Sequence, residues 1–147
     1  MDCRNITKIV RNMMLYKNSI NKEKDYFNDS EFEMLRYIVK KDGISLVDLA
    51  TYLNVAKSLI TRMSKKLLKL GYIEILDDTK DKRKKILVAT NKARAIKQEV
   101  ANEEVVFYNA CLKVLSDEEL AMFDKLVNKV YLESKRLRKS GFKDVKN

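Results

Sequence analysis

The sequence predicts a mainly α-helical fold that carries one small β-hairpin. Apolar residues recur at helical spacing through most of the 147 residues. Two short β-prone segments, 72–76 and 86–89, flank a polar, turn-like stretch and indicate the hairpin. Charged residues make up 35% of the chain and hydrophobic residues 46%, a balance typical of elongated helices with long solvated faces.

The first third of the chain predicts two helices. Residues 4–20 have apolar groups at helical spacing, and residues 21–29 form a polar connection. Ser30 and Glu33 stand in the capping-box arrangement, which predicts the start of the second helix. Gly43 is expected to end that helix as its left-handed cap.

The middle of the chain predicts a short helix, a turn and a longer helix. Ser45 and Asp48 repeat the N-terminal cap signature, and Asn54 marks a tight break. A basic helix then extends from about residue 55 to residue 70 and ends at Gly71. This order is a helix-turn-helix pattern, and the hairpin that follows it is a wing.

The last third predicts two long helices. Thr90 or Asn91 begins the first, and Ser116 with Glu119 forms a further capping box before the second. The basic tail, residues 135–147, is expected to fray.

The positive charge is concentrated in the helix-turn-helix and the wing. The formal net charge of the chain is +10, which attracts polyanions such as nucleic acid or an anionic membrane. Residues 54–85 hold ten lysines and arginines against four carboxylates, a net charge of +6. A basic helix face is often only a solvated face, but here it follows a capped helix and precedes a basic hairpin. The pattern therefore favours duplex DNA as the partner.

The basic helix and the wing supply the candidate DNA contacts. The N-terminal turns of such a helix reach base edges in the major groove, where Arg62 could pair with guanine. Lys65 and Lys66 lie further along the helix, where contact with phosphate is expected. Arg83, beside the hairpin tip, could enter the minor groove. The full set of candidates is Lys57, Ser58, Thr61, Arg62, Lys65, Lys66, Arg83 and Lys84.

These segments resemble the MarR family of regulators. Residues 54–62 resemble the start of that family's recognition helix, and residues 67–74 resemble the helix end and wing entry. Asp81-Lys82-Arg83 matches the Asp-x-Arg signature of the family's wing. The resemblance implies a winged helix-turn-helix in which Asp81 orients Arg83 toward the minor groove. It also implies dimers formed through the N- and C-terminal helices.

The apolar stripes of the first, fifth and sixth helices agree with a homodimer, because one small chain offers them no compact partner. Two recognition helices would then bind half-sites of a pseudo-palindromic operator, spaced about 10 base pairs apart. We expect one domain over residues 1–147. Residues 30–90 are the winged helix-turn-helix lobe, and residues 1–28 and 91–147 are the helical dimerisation region.

Several function classes find no support in the composition. The chain has no histidine and only two cysteines, so we expect no enzyme, metal site or cofactor. Cys3 is a candidate oxidant-sensing thiol. Cys111 lies at an apolar helix position and is expected in the core.

The sequence therefore predicts a cytoplasmic transcription regulator, more often a repressor than an activator. The family resemblance implies that it responds to a small-molecule effector of unknown identity. The resemblance also implies an effector crevice, for which Met13, Met14, Tyr16 and Tyr37 are candidate liners, although Met and Tyr at helical spacing are more often core residues. The alternative is a helical interaction protein whose basic surface meets a protein or membrane partner. No apolar run reaches the roughly 20 residues that span a bilayer.

Overall fold

A computed structural model describes residues 1–20 and 27–146 and confirms a mainly helical fold with a small sheet. Most of the polar connection expected at 21–29 lies outside the described residues. The helices are α1 (Arg4–Ile20), α2 (Asp29–Lys41), α3 (Leu46–Leu53), α4 (Lys57–Lys69), α5 (Asn91–Leu112) and α6 (Asp117–Lys139), followed by a 3₁₀ turn at Lys143–Val145. The strands are β1 (Ile44–Ser45), β2 (Ile73–Asp77) and β3 (Lys85–Ala89). The chain divides into two compact units, Met1–Val105 and Val106–Asn147.

The sheet contains the expected hairpin and one short strand that the sequence did not predict. Its order is β1-β3-β2, and both pairings are antiparallel. Within the hairpin, Ile73 pairs with Ala89 and Asp77 with Lys85. The added strand, β1, places Ile44 opposite Leu87. Because β1 has two residues, it is too short for an alternating pattern to reveal it.

The core of the first unit lies between α2, α3, α4 and the sheet. Ile60 and Leu67 of α4 are fully buried in it. They hold one face of α4 against the core, so the opposite face of that helix meets solvent. The largest fully buried side chains are Met34, Leu35, Ile38, Leu49, Ile60, Leu67, Ile73 and Leu87.

The N-caps predicted from the sequence are confirmed at two helices and wrong at a third. Ser45 caps α3, and Ser116 caps α6 in a full capping box. The predicted start of α2 at Ser30 was wrong. The N-cap is Asn28, and its partner in the capping box is Glu31 rather than Glu33. The capping pattern N-x-x-E at 28–31 begins two residues before the S-x-x-E at 30–33, and the earlier one opens the helix.

The end of α2 also differs from the expectation. Asp42 is the left-handed C-cap, with φ of 48°, and Gly43 follows with φ of 114°. A short polar residue such as Asp tolerates the left-handed conformation, and Gly43 then takes a backbone angle that other residues rarely adopt.

The second unit is largely exposed in the protomer. No residue of α6 is buried, and its apolar residues Phe123, Val127 and Val130 are 44–63% exposed. Cys111 is exposed as well, so its expected core position was wrong for the single chain. The expectation that residues 135–147 fray was also wrong in part, because α6 continues to Lys139 and a 3₁₀ turn follows.

Candidate nucleic-acid interface

The outward face of α4 carries a continuous basic strip. Ser58, Arg62, Lys65 and Lys69 follow one another at i, i+4, i+7 and i+11, so they share one face of the helix. All four are exposed. The helix contains five cations and no carboxylate. This face has the charge and the shape to enter the major groove of a duplex.

The first turn of α4 has no side-chain cap. Its N-cap is Ala56, which makes no capping hydrogen bond. Backbone amides at such an end attract an anion, and exposed Lys57 adds positive charge beside them. The hydroxyl of Thr61 is exposed and donates to the carbonyl oxygen of Lys57 at 3.1 Å. The proton of this hydroxyl is therefore used within the helix, and its oxygen can still accept a further hydrogen bond.

Lys66 differs from the other cations of α4 because it binds a buried carboxylate. Its Nζ donates to Glu31 Oε1 at 3.0 Å and lies 2.7 Å from Glu31 Oε2. The Glu31 side chain is only 6% exposed, whereas the Lys66 side chain is 42% exposed. The structure thus places Lys66 beside the strip and in contact with α2.

The wing presents Arg83 almost fully to solvent. Its side chain is 92% exposed, and Asp81 Oδ1 accepts hydrogen bonds from its backbone N–H at 3.1 Å and from its Nε at 3.3 Å. The Asp81 carbonyl oxygen accepts from the Lys84 amide at 2.9 Å. A single residue therefore closes the turn and fixes the guanidinium. Lys84 is exposed next to it.

Contacts that the sequence did not predict brace the wing against the start of α5. Lys92 Nζ donates to the Leu70 carbonyl at 2.7 Å and lies 4.4 Å from the ring centroid of Tyr72. The Thr90 hydroxyl donates to the Gly71 carbonyl at 2.8 Å. These contacts join residues about 20 positions apart, and no local pattern encodes such a pairing. They fix where β2 leaves the end of α4.

Arg94 makes a second brace at the same junction. Its Nη1 donates to the Ala89 carbonyl at 3.2 Å, and its Nη2 contacts Asp42 Oδ1 at 3.1 Å. It thereby ties the end of β3 to the C-cap of α2. The sequence analysis assigned no role to Arg94.

A cleft of about 320 Å³ opens in the first unit between α1, α2 and α5. Two of the four expected liners, Met13 and Met14, line it; Tyr16 and Tyr37 do not. Tyr37 instead stacks on Tyr52 with ring centroids 3.4 Å apart. The lining is Val10, Met13, Met14, Lys17, Asn18, Phe27, Asp29, Phe32, Glu33, Arg36, Ile96, Val100, Glu103 and Glu104.

The cleft combines apolar walls with charged groups. Lys17 of α1 bridges to Glu104 of α5 at 3.0 Å and lies 5.8 Å from the ring centroid of Phe32. Arg36 binds Glu33 at 2.7 Å. Apolar walls with a few fixed polar groups are typical of small-molecule sites.

The described residues give little support to a redox, metal or membrane site. Cys3 is exposed at the start of α1, which is compatible with an oxidant-accessible thiol. Among residues 1–20 and 27–146, no group of three His, Cys, Asp or Glu side chains could hold a metal ion. The helices of the same residues are all too short or too polar to cross a bilayer.

Comparisons with known proteins point to one family. Residues 27–85 match the family model described as MarR family. No curated protein is significantly similar in sequence. Among solved structures, FabT of Streptococcus pneumoniae in complex with DNA aligns at 20% identity, covering 91% of this chain and 95% of FabT, with a TM-score of 0.73.

Two further structures are similar over most of the chain. A cysteine-to-serine mutant of MarR from E. coli, complexed with operator DNA, aligns at 25% identity over 86% of this chain and 91% of its own, with a TM-score of 0.62. YusO from Bacillus subtilis aligns at 19% identity over 87% of this chain and 90% of its own, with a TM-score of 0.73.

Proposed function

Because residues 27–85 match the MarR family model, we propose that this chain is a homodimeric transcription regulator that binds a specific operator in duplex DNA. One observation carries the proposal. The basic strip of α4 and the exposed Arg83 of the wing lie in one compact unit, on elements that follow one another along the chain. Two similar structures are of proteins in complex with DNA, one of them with operator DNA.

The basic strip of α4 contacts the major groove, and Arg83 of the wing contacts the minor groove. Arg62 lies on the outward face within the second turn of α4, where a guanidinium can bind guanine O6 and N7 in a bidentate manner. Arg83 suits the narrow minor groove of A·T-rich steps, whose negative potential attracts arginine. Lys57, Lys65 and Lys84 neutralise phosphates, so binding should weaken steeply as salt is raised.

The homodimer follows from the exposed apolar helices. Ile6, Ile9 and Val10 of α1 are 41–59% exposed in the protomer, and so are most apolar residues of α6. Burying such faces against a second copy is the commonest solution in two-fold symmetric proteins. Two recognition helices would then bind a pseudo-palindrome.

A genome-fragment selection with purified protein, followed by titrations of the enriched duplex, tests this function. We expect a pseudo-palindrome whose affinity falls with salt. Arg62→Ala should relax the base preference at one position in each half-site. Lys125→Ala, a matched loss of one cation on α6, should leave that preference intact. Sequence-blind binding that both variants share would contradict the proposal.

We further propose that the protein is a repressor released by a small molecule in the cleft between α1, α2 and α5. Support comes from the apolar walls and from the Lys17–Glu104 pair, which can hold a polar group of the effector. Two probes of opposite charge, salicylate and benzyltrimethylammonium, test the site. We expect one of them to release the operator and restore transcription in vitro, and Val100→Trp, which fills the cleft, to abolish the release. Release that survives Val100→Trp, or failure of both probes to bind, would contradict this cleft as the effector site.

A further inference from the structure

Lys66 borders the strip on the side that meets α2. It follows Arg62 by four residues, and it lies about 100° further round the helix than Lys65, its neighbour in the chain. The two neighbouring lysines therefore have different surroundings. Lys65 faces solvent, and Lys66 reaches toward α2.

The carboxylate that Lys66 contacts has two tasks. Glu31 Oε1 accepts from the Asn28 backbone N–H at 3.3 Å, which completes the capping box of α2. The same oxygen accepts from Lys66 Nζ. Among the described residues, Glu31 Oε2 is buried without a well-aligned hydrogen-bond donor, and Lys66 Nζ at 2.7 Å is the cation beside it. A buried carboxylate is costly unless a cation accompanies it.

We infer that Glu31 and Lys66 are positioning residues for DNA binding, and that Lys66 is not a phosphate ligand. The pair joins the first turn of α2 to the third turn of α4 and so sets the angle at which the basic strip is presented. Ile60 and Leu67 hold α4 against the core by apolar contact, which is not directional. An ion pair with a buried, fixed carboxylate adds the direction that apolar packing lacks. This inference rests on the proposed function of the chain.

The competing role for Lys66 makes an opposite prediction. Its side chain is 42% exposed, so a phosphate could in principle draw it away from Glu31. A lysine that neutralises a phosphate releases counterions when the complex forms, and removing it lowers the salt dependence of binding by about one unit of slope. A positioning lysine makes no such contribution. The slope of the logarithm of the affinity against the logarithm of the salt concentration therefore separates the two roles.

The experiment measures operator and random-duplex affinity at several salt concentrations for Lys66→Met, Glu31→Gln and the control Lys65→Met. Glu31→Gln keeps a side chain that can complete the capping box and removes only the charge. We expect Lys65→Met to lower the slope by about one and to weaken both duplexes alike. Lys66→Met and Glu31→Gln should keep the wild-type slope and should lose operator affinity more than random-duplex affinity.

Two further variants separate positioning from a general loss of stability. The double variant Glu31→Gln/Lys66→Met should bind the operator no worse than either single variant, because the two residues act as one unit. Lys66→Arg should restore operator preference. All titrations are made at a temperature where circular dichroism shows every variant folded.

The outcomes are distinct. A slope lowered by about one in Lys66→Met, with wild-type binding by Glu31→Gln, would overturn the inference and leave the proposed function standing. Wild-type protein that fails to prefer any duplex would overturn the proposed function itself.

Discussion

Asp81 Oδ1 accepts two hydrogen bonds from one residue, Arg83, through the backbone N–H at 3.1 Å and the side-chain Nε at 3.3 Å. The Arg83 side chain is almost fully exposed and that of Asp81 is partly exposed, so the pair contributes little to stability. Its consequence is geometric, since it fixes the direction of a guanidinium that is otherwise surrounded by solvent.

Removing Asp81 should therefore weaken DNA binding, although the loss of a carboxylate alone would strengthen attraction to a polyanion. We expect both Asp81→Ala and Arg83→Ala to lower operator affinity. Asp78→Ala is the matched control, because Asp78 Oδ1 accepts a hydrogen bond from the Lys80 backbone amide of the same loop and does not contact Arg83 within the described residues. Fluorescence anisotropy with the selected operator measures all three. Tighter binding by Asp81→Ala would contradict an orienting role.

The buried face of α4 should dominate the stability of the first unit. Leu67 is fully buried and its neighbour Leu68 is 45% exposed. We expect Leu67→Ala to lower the free energy of unfolding by about 2–5 kcal/mol because it leaves a cavity. Leu68→Ala should change it by less than about 0.5 kcal/mol. Urea denaturation followed by circular dichroism compares them, and equal losses would mean that α4 packs differently.

The cap of α2 gives a direct choice between two residues. Asn28 accepts from the Glu31 amide at 2.8 Å, and Ser30 lies already inside the helix. We expect Asn28→Ala to cost about 1 kcal/mol of unfolding free energy and Ser30→Ala to cost less than half of that. The opposite order in thermal or urea unfolding would place the helix start at Ser30.

The capping box of α6 should titrate at low pH. Hydrogen bonds from the backbone N–H and the side chain of Ser116 hold the pKa of the Glu119 carboxyl below its ordinary value. A carboxyl whose pKa is lower in the folded state stabilises the fold above its unfolded pKa, and that contribution is lost as pH falls through the folded pKa. Carboxyl ¹³C NMR should show the lowered pKa in wild type and a partial rise in Ser116→Ala, which removes the hydroxyl and keeps the backbone N–H. An unchanged pKa in the variant would rule out the contribution of the Ser116 side chain.

The exposed apolar face of α6 should hold the dimer together. Phe123, Val127 and Val130 follow the i, i+4, i+7 spacing of one helix face. We expect Val127→Asp to yield monomers in sedimentation velocity and to lose operator binding, since each half-site alone binds weakly. Lys129→Asp introduces a carboxylate on the same helix outside that face, and it should remain dimeric. Monomers in both variants would show a general effect of charge on α6.

Much of the fold was determined by the sequence alone. Apolar spacing placed the six helices, and the β-prone segments placed the wing, because these patterns are local and periodic. The caps at Ser45 and Ser116 and the close spacing of Asp81 and Arg83 are likewise set within four residues of chain. The five cations of α4 are visible in the sequence as well.

Only the tertiary structure decided which distant side chains meet. Glu31 and Lys66 are 35 positions apart, and Asp42 and Arg94 are 52 apart, so no local pattern joins them. Lys65 and Lys66 look alike in the sequence, yet one faces solvent and the other accompanies a buried carboxylate. Periodicity encodes which face of a helix is buried. The packing of helices against one another decides which partner that face finds, and here it separates a lysine that faces solvent from a lysine that contacts a carboxylate of α2.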